Sequence, residues 1–348
     1  MAAALLFSIH LSLLLAVCNA ASGNITAVIV FGDSSVDPGN NNQISTIAKS
    51  NFGPYGRDFP GGRPTGRFCN GRVATDFISD ALGIKPEVPA YLDPAYSIKD
   101  FATGVSFASA ATGYDNVTAS VLNVIPIWKQ LDYFREFIDK LRSYQGEAAS
   151  MNTVSEALYV VSSGTNDFIE NYYTMPTRQS QYKVDEYEDF VVGIAEGLIK
   201  QIYNLGGRRM SITGLPPMGC FPLERTMNLF FGSSCRDEYN QVALEFNGKM
   251  NATVEKLRFE LPGSKLLYMD VYGIWMNAID NPSSYGFENV EVACCATGMF
   301  EMGYMCNRLN PFTCQDANKY MFWDSFHPTQ KTYHILADYF MNNSASLL

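Results

Sequence analysis

Short apolar runs alternate with longer helix-like segments along this chain of 348 residues, and this alternation constrains the fold more than any other feature. The runs are rich in β-branched and aromatic residues, as strands are. They cover residues 27–31, 104–107, 157–161, 209–213 and 265–269. Alternation of strand and helix is typical of a parallel sheet that is covered on both faces. The sequence therefore predicts an α/β fold with a five-stranded parallel sheet.

Four longer segments carry the pattern expected of helices. They cover residues 125–144, 184–205, 237–260 and 329–340. Gly206 and Gly207 follow the second segment and are typical of a helix C-terminus. Pro262 follows the third and cannot continue a helix well. We place the first three between strands and the last after the final strand.

Polar side chains follow several of the predicted strands at the point where each strand ends. Ser34 follows the first strand, a segment rich in small residues (108–113) follows the second, and Asn166 follows the third. Asp324 and His327 precede the final helix. Ligands bind parallel sheets at the carboxyl ends of their strands. We therefore expect these residues to meet on one rim of the sheet.

Ser34, His327 and Asp324 form a candidate catalytic triad. A serine hydroxyl needs a base, and the base needs an orienting carboxylate. Histidines are scarce: His10 lies in the N-terminal leader, and His334 is expected to pack or face solvent on the last helix. We also expect a helix to begin directly after Ser34, because its first N–H groups would stabilise an oxyanion.

Each of these residues also has a structural interpretation when it is taken alone. A serine after Asp33 is common in turns, and Asn166 is either a turn residue or an amide donor to an oxyanion. His327 alone is equally consistent with a structural histidine. Ser106 is a rival nucleophile, because residues 104–108 nearly match G-x-S-x-G, although a loop rather than the required helix follows.

The first twenty residues have the character of a secretory signal peptide. They contain no Asp, Glu, Lys or Arg, and an apolar run over residues 5–17 precedes a plausible cleavage point at Ala20. The run is short for a membrane span, although a retained anchor helix is the alternative. We therefore expect a single domain over residues 21–348 with no transmembrane segment after signal cleavage. The net charge of −10 argues against nucleic-acid or anionic-lipid partners.

The cysteines are expected to form disulfides, as in most secreted proteins. Cys18 belongs to the leader, and an odd number remains, so at least one cysteine is unpaired. Cys220 and Cys235 bracket a short segment and are expected to form a local bridge. One or two further bridges are expected within a late cluster, and its spacing argues against zinc. The cluster comprises Cys294, Cys295, Cys306 and Cys314.

Four sequons add to the prediction of secretion, because Asn-x-Ser/Thr is the acceptor for N-glycosylation. The candidate asparagines are Asn24, Asn116, Asn251 and Asn342.

Five stretches of the chain resemble, in order, the sequence blocks of the plant secreted GDSL lipase/esterases of the SGNH hydrolase superfamily. The similarity runs from about residue 29 to the C-terminal helix. The stretches are FGDSSVDPGNN (31–41), FPGGRPTGRFCNGR (59–72), GVSFASAATG (104–113), GTND (164–167) and DSFH (324–327).

This resemblance implies a three-layer α/β/α fold with a flavodoxin-like sheet, the SGNH hydrolase fold. It implies Ser34 as nucleophile, His327 as base and Asp324 as the group that orients it. The oxyanion hole would comprise the backbone N–H of Ser34, the Asn166 side chain and a backbone N–H that glycine usually supplies. Ala111 stands at that last position, so a positive φ would strain or weaken the hole, whereas a negative φ would not.

These features predict a secreted serine esterase or lipase that hydrolyses small-molecule or lipid carboxylic esters through an acyl-enzyme on Ser34. No metal or organic cofactor is required. An acyltransferase with the same acyl-enzyme is an alternative, and so is a catalytically silent glycoprotein that binds an ester or wall component. The segment 299–305 is rich in methionine and either contacts the acyl chain or packs inside a disulfide-tied loop. The sequence sets neither acyl and alcohol specificity nor oligomeric state.

Overall fold

A parallel five-stranded sheet forms the centre of the protein, as predicted. The computed structural model describes residues 25–228 and 234–348, so the predicted leader (residues 1–20) and Asn24 lie outside the described residues. The strand order is β2-β1-β3-β4-β5, which is the flavodoxin-like order, and every neighbouring pair is parallel. The strands are β1 (Val28–Gly32), β2 (Gly104–Ser106), β3 (Leu158–Ser162), β4 (Arg209–Thr213) and β5 (Lys265–Met269).

Helices connect and flank these strands. The α-helices are α1 (Ala74–Ala81), α2 (Ile98–Phe101), α3 (Asn116–Val121), α4 (Ile127–Gln145), α5 (Glu147–Glu156), α6 (Pro176–Gln179), α7 (Val184–Asn204), α8 (Pro222–Met227), α9 (Asp237–Glu260), α10 (Tyr272–Asp280) and α11 (Gln330–Asn343). A π-helix covers Asp167–Thr174, and 3₁₀ turns cover Asn40–Gln43, Met218–Cys220, Pro282–Tyr285, Gly303–Met305 and Ala317–Lys319. Helix α7 packs against both α4 and α9, so these three helices lie on one face of the sheet, as right-handed crossovers require. On the other face, α1 packs against α11.

The predicted elements agree with these bounds to within a few residues. Helix α4 begins two residues later than predicted, because Pro126 restricts the residue before it to extended backbone and itself acts as the N-cap. Thr329 is the N-cap of α11 rather than its first residue, and its side chain accepts the N–H of Thr332. The shorter helices α1, α2, α3, α5, α6, α8 and α10 and the π-helix were not predicted.

Strand β1 shows why a continuous apolar run in the sequence predicted a strand. All five residues of β1 are buried, as expected of a central parallel strand covered on both faces. Gly32 ends this strand with φ 142°, and a Cβ there would lie 1.9 Å from the backbone oxygen of Ser162. Only glycine permits that approach, which lets the N–H of Asp33 donate to the same oxygen at 3.0 Å. The pairing of β1 with β3 thus extends to the residue before Ser34.

Three disulfides form among the described residues: the predicted local bridge and two within the late cluster, where one or two were expected. Cys220 pairs with Cys235, and the late cluster forms the two bridges Cys294–Cys314 and Cys295–Cys306. The four clustered sulfurs are therefore bonded to one another in pairs rather than available as thiolates for zinc. Cys69 is free and buried, and its burial raises the pKa of its thiol. Within residues 25–228 and 234–348, no helix is both long and apolar enough to cross a membrane.

Candidate active site

Ser34 lies in a tight turn directly after β1. The Asp33 carboxylate accepts the backbone N–H of Ser35 at 2.9 Å and its hydroxyl at 2.7 Å, and the N–H of Val36 donates to the Asp33 carbonyl at 3.2 Å. The expected helix directly after Ser34 was wrong: a turn stands there, with the next helical residues in the 3₁₀ turn Asn40–Gln43. The physical reason is that the Asp33 side chain accepts the N–H and hydroxyl of Ser35, which favours a turn over a helix.

The structure joins Ser34, His327 and Asp324 in one hydrogen-bonded chain. His327 Nε2 lies 2.8 Å from Ser34 Oγ, and its Nδ1 lies 2.8 and 2.9 Å from the two carboxylate oxygens of Asp324. With the proton on Nδ1, the ring donates to the carboxylate and accepts the serine hydroxyl at Nε2. This is the geometry in which a histidine can remove the proton of a serine.

The Asp324 carboxylate is fully buried and has several donors. Its Oδ1 accepts the backbone N–H groups of Phe326 at 2.9 Å and His327 at 2.7 Å, while its Oδ2 accepts the Tyr55 hydroxyl at 2.6 Å. Such bonds offset the cost of burying a charge and hold the side chain in one orientation. Tyr55, which sequence reasoning missed, also accepts the N–H of Gly303 at 2.9 Å and so connects Asp324 to the loop that contains Met305.

A cavity of about 260 Å³ lies next to the hydrogen-bonded Ser34, His327 and Asp324. It is lined by Ser34, Ala111, Asn166 and His327, among others. Asn166 uses its side-chain amide to donate to the carbonyl of Thr112 at 2.8 Å, which orients the side chain and leaves a second amide hydrogen. Within the described residues, the backbone N–H groups of Ser34 and Ala111 donate to no protein acceptor. These three groups can all donate to a ligand in the cavity.

Ala111 has a φ of 66°, in the left-handed region that disfavours side chains other than glycine. The loop is held on the N-terminal side of this residue, because the N–H of Ser109 donates to the Gly32 carbonyl at 2.9 Å and that of Ala110 to the Asp37 carboxylate at 2.9 Å. The conformation costs about 1–2 kcal/mol for a residue with a Cβ. The strained alternative considered for this position is therefore the one found.

Ser106 does not meet His327. It lies fully buried in β2, and its hydroxyl donates to the Val36 carbonyl at 3.1 Å and accepts the N–H of Ala108 at 3.3 Å. A serine already bonded in this way within the sheet serves to connect the loops after β1 and β2.

Two aspartates of the first sequence block are buried near the site. Burial raises the pKa of Asp33 to about 6, although its bonds from Ser35 favour the charged form. Burial likewise raises the pKa of Asp37 to about 6, against the N–H bonds from Gly39 and Ala110. Both carboxyls hold loops in place.

Residues of the block at 59–72 lie next to the catalytic residues. Arg67 forms a buried bidentate pair with Asp76, with both N–O distances at 2.8 Å. The ring of Phe68 lies 4.7 Å from that of His327, centroid to centroid, and lines the cavity. Sequence reasoning identified this block only by resemblance, since no local pattern indicates which histidine a phenylalanine will contact.

The methionine-rich segment lies in a disulfide-tied loop that borders the cavity, and its contact with an acyl chain stays a prediction. The bridge between Cys295 and Cys306 closes the loop that contains it. Met302 and Met305 line the cavity together with Tyr304. The segment thus forms one wall of the site within a disulfide-tied loop, but Met299, Phe300, Tyr304 and Met305 are exposed rather than packed inside it.

Comparison with known proteins gives a consistent result. Residues 28–340 match the family model described as GDSL-like Lipase/Acylhydrolase. The chain is 61% identical over 323 residues to the Arabidopsis thaliana protein named GDSL esterase/lipase At2g04570, covering 93% of this chain and 92% of the relative. It is 56% identical to two further Arabidopsis thaliana proteins, GDSL esterase/lipase At2g42990 and At4g26790, covering 93% and 91% of their lengths. The chain therefore belongs to the GDSL-like lipase/acylhydrolase family and is a serine ester hydrolase.

Proposed function

We propose that this protein hydrolyses carboxylic esters through an acyl-enzyme on Ser34. The observation that carries the proposal is the chain of contacts from Ser34 Oγ through His327 to Asp324, with 2.8 Å at each link, beside an open cavity. A nucleophile bonded to a base that is itself oriented by a third group is the arrangement required for serine catalysis.

The reaction follows from the geometry. His327 Nε2 accepts the Ser34 proton as Oγ bonds to the ester carbonyl carbon, and the carbonyl oxygen becomes an oxyanion. The backbone N–H groups of Ser34 and Ala111 and the Asn166 amide donate to that oxyanion. The imidazolium, stabilised by Asp324, then protonates the departing alcohol. Water, deprotonated by His327, attacks the acyl carbon and releases the acid and the free serine.

The shape of the site supports a small-molecule or lipid ester as substrate. A second cavity, of about 120 Å³, also reaches Ser34 and His327, so two separate cavities meet at the proposed nucleophile. An ester has an acyl arm and an alcohol arm on the two sides of its carbonyl, and each requires space. Both cavities have mainly apolar walls, which favour hydrocarbon arms. No metal or organic cofactor takes part in the proposed reaction.

We further propose that the protein is secreted after removal of residues 1–20 and functions as a single domain over residues 21–348. Three disulfides support this location, because such bonds persist in oxidising compartments. Of the candidate glycosylation sites within the described residues, Asn116, Asn251 and Asn342 are all exposed. Glycans require such exposure.

Ser34→Ala, with Ser106→Ala as the matched control, tests the assignment. Ser34→Ala should lower kcat for a p-nitrophenyl ester by about 10⁴-fold or more while circular dichroism stays unchanged. A fluorophosphonate probe should label the wild type and Ser106→Ala but not Ser34→Ala. Labelling that persists in Ser34→Ala and is lost in Ser106→Ala would overturn the proposal. Parallel assays with and without an alcohol acceptor separate hydrolysis from acyl transfer.

A further inference from the structure

Glu170 faces the same cavity as the proposed nucleophile, and the mechanism above does not use it. It lies in the π-helix Asp167–Thr174, four residues after Asn166, and both side chains line the cavity with Ser34. Residues four apart lie on nearly the same face of a helix of this kind, and π-helical turns occur frequently at functional sites. The helix that presents the Asn166 amide thus also presents a carboxyl group.

The carboxyl group of Glu170 has no protein partner among the described residues. Its Oε2 is shielded from solvent without a hydrogen bond. Covered polar atoms in folded proteins nearly always have a partner, so an exception in a cavity indicates a place for a ligand group. The remaining walls of the cavity are largely apolar and offer this carboxyl group few hydrogen-bonding partners. They include Ile47, Ala48, Phe68, Leu122, Met302 and Met305.

The protonation state of Glu170 determines what it can recognise. Burial raises its pKa to about 8, and the nearby carboxyls of Asp33 and Asp167 act in the same direction. Asp167, by contrast, accepts the N–H groups of Tyr114 and Asp115 and so has its own donors. At neutral pH the Glu170 side chain is therefore mainly the neutral acid, which has one O–H to donate.

We propose that Glu170 is a specificity-determining residue that donates a hydrogen bond to a second oxygen of the substrate, a hydroxyl or carbonyl near the scissile ester. The preferred substrates are then esters with an apolar body and one such oxygen, rather than plain alkyl esters. This inference rests on the proposed function, because it concerns the cavity in front of Ser34.

Paired esters that differ only in a hydroxyl test this proposal. p-Nitrophenyl butyrate and p-nitrophenyl 3-hydroxybutyrate probe the acyl arm, while propyl butyrate and 2-hydroxypropyl butyrate probe the alcohol arm. In at least one pair, the wild type should show a kcat/KM about tenfold higher for the hydroxylated ester, the size of one hydrogen bond. Glu170→Leu should abolish that ratio, whereas Glu170→Gln, which keeps a donor and the shape, should retain most of it.

The pH dependence of the ratio provides a readout that a merely structural role would not change. Asp33, Asp167, His327 and Tyr304 are the titratable groups around Glu170 in this cavity or beside it. Comparing two esters at the same pH cancels effects common to both, including any change in the protonation of the catalytic base. The wild-type ratio should fall as pH rises through about 8, because the ionised carboxylate has no proton to donate. The Glu170→Gln ratio should stay constant.

The outcomes separate the two proposals. Loss of all hydrolysis in Ser34→Ala, with equal ratios in the wild type and Glu170→Leu, would overturn the role of Glu170 and leave the nucleophile assignment standing. Hydrolysis that survives in Ser34→Ala would overturn the proposed function itself. If Glu170→Leu does not fold, a wild-type ratio that is flat with pH or a Glu170→Gln variant without preference overturns the inference. A preference that rises with pH, shown with a choline ester, would indicate recognition of a cation and also contradict it.

Discussion

Replacing Ala111 by glycine tests whether a strained residue can serve in an oxyanion hole. The φ of 66° costs about 1–2 kcal/mol with a Cβ, and glycine removes that cost. Two losses oppose the gain. Glycine adds unfolded-chain entropy worth about 0.4–1 kcal/mol, and the buried methyl packed near Ala48, Ala119 and Val124 contributes about 0.8 kcal/mol. We therefore expect the free energy of unfolding to change by less than about 1 kcal/mol.

The effect on activity should also be small, for a different reason. The proposed donor is the backbone N–H of Ala111, which glycine also has, and the loop is held by the bonds of Ser109 and Ala110 on its N-terminal side. The kcat/KM for a short p-nitrophenyl ester should therefore stay within about tenfold of the wild type. Loss of one oxyanion donor costs about 10²–10³ in rate. A gain in kcat/KM of a hundredfold or more in the glycine variant would mean that the natural protein lacks a working donor at this position. That result would refute this reasoning and favour the alternative of a catalytically silent protein that binds an ester.

Ala296 offers a matched control, because it is a second buried alanine with positive φ, at 59°. Its N–H donates to the Thr313 hydroxyl at 3.0 Å, and the residue does not line the cavity. Ala296→Gly should therefore change the unfolding free energy by a similarly small amount and leave kcat/KM unchanged. Chemical denaturation and steady-state rates on one ester suffice for both variants. Equal rate changes in the two variants would assign any effect at Ala111 to general relaxation of loops.

Three further predictions concern the groups around this site. Tyr55→Phe removes the 2.6 Å hydrogen bond to Asp324 and should lower kcat about tenfold with little change in KM. It should also lower the unfolding free energy by about 1–3 kcal/mol. An unchanged kcat would show that the bond does not position the carboxylate. The rate should fall in acid, because protonated His327 cannot accept the serine proton; folded protein whose rate does not fall in acid would contradict this. Replacing Cys295 and Cys306 by serine should lower the unfolding free energy by about 3 kcal/mol. It should also raise KM, because the loop that forms one wall of the cavity is no longer closed by a disulfide. Chemical denaturation and steady-state rates check these two effects.

The strands and long helices were predictable because their signals are local. A central parallel strand is apolar at every position, so β1 was visible as a continuous run. Helix α9 (Asp237–Glu260) agrees with its prediction at both ends. The π-helix was not predictable, because its residues are compatible with ordinary helix and its hydrogen-bond pattern is set by packing. The turn after Ser34 was mispredicted because the Asp33 side chain accepts the N–H and hydroxyl of Ser35.

The sequence by itself determined which residues could perform the chemistry: one serine after a strand, an Asp-x-x-His pair and an asparagine at another strand end. Only the tertiary structure decided that Ser34 and His327 meet across 293 positions of sequence. It also decided that Tyr55 supports Asp324, that Glu170 faces the cavity, and that Ala111 has a positive φ. Motifs report local preferences, whereas contacts between distant segments depend on how the sheet and its loops pack, which no short stretch of sequence encodes.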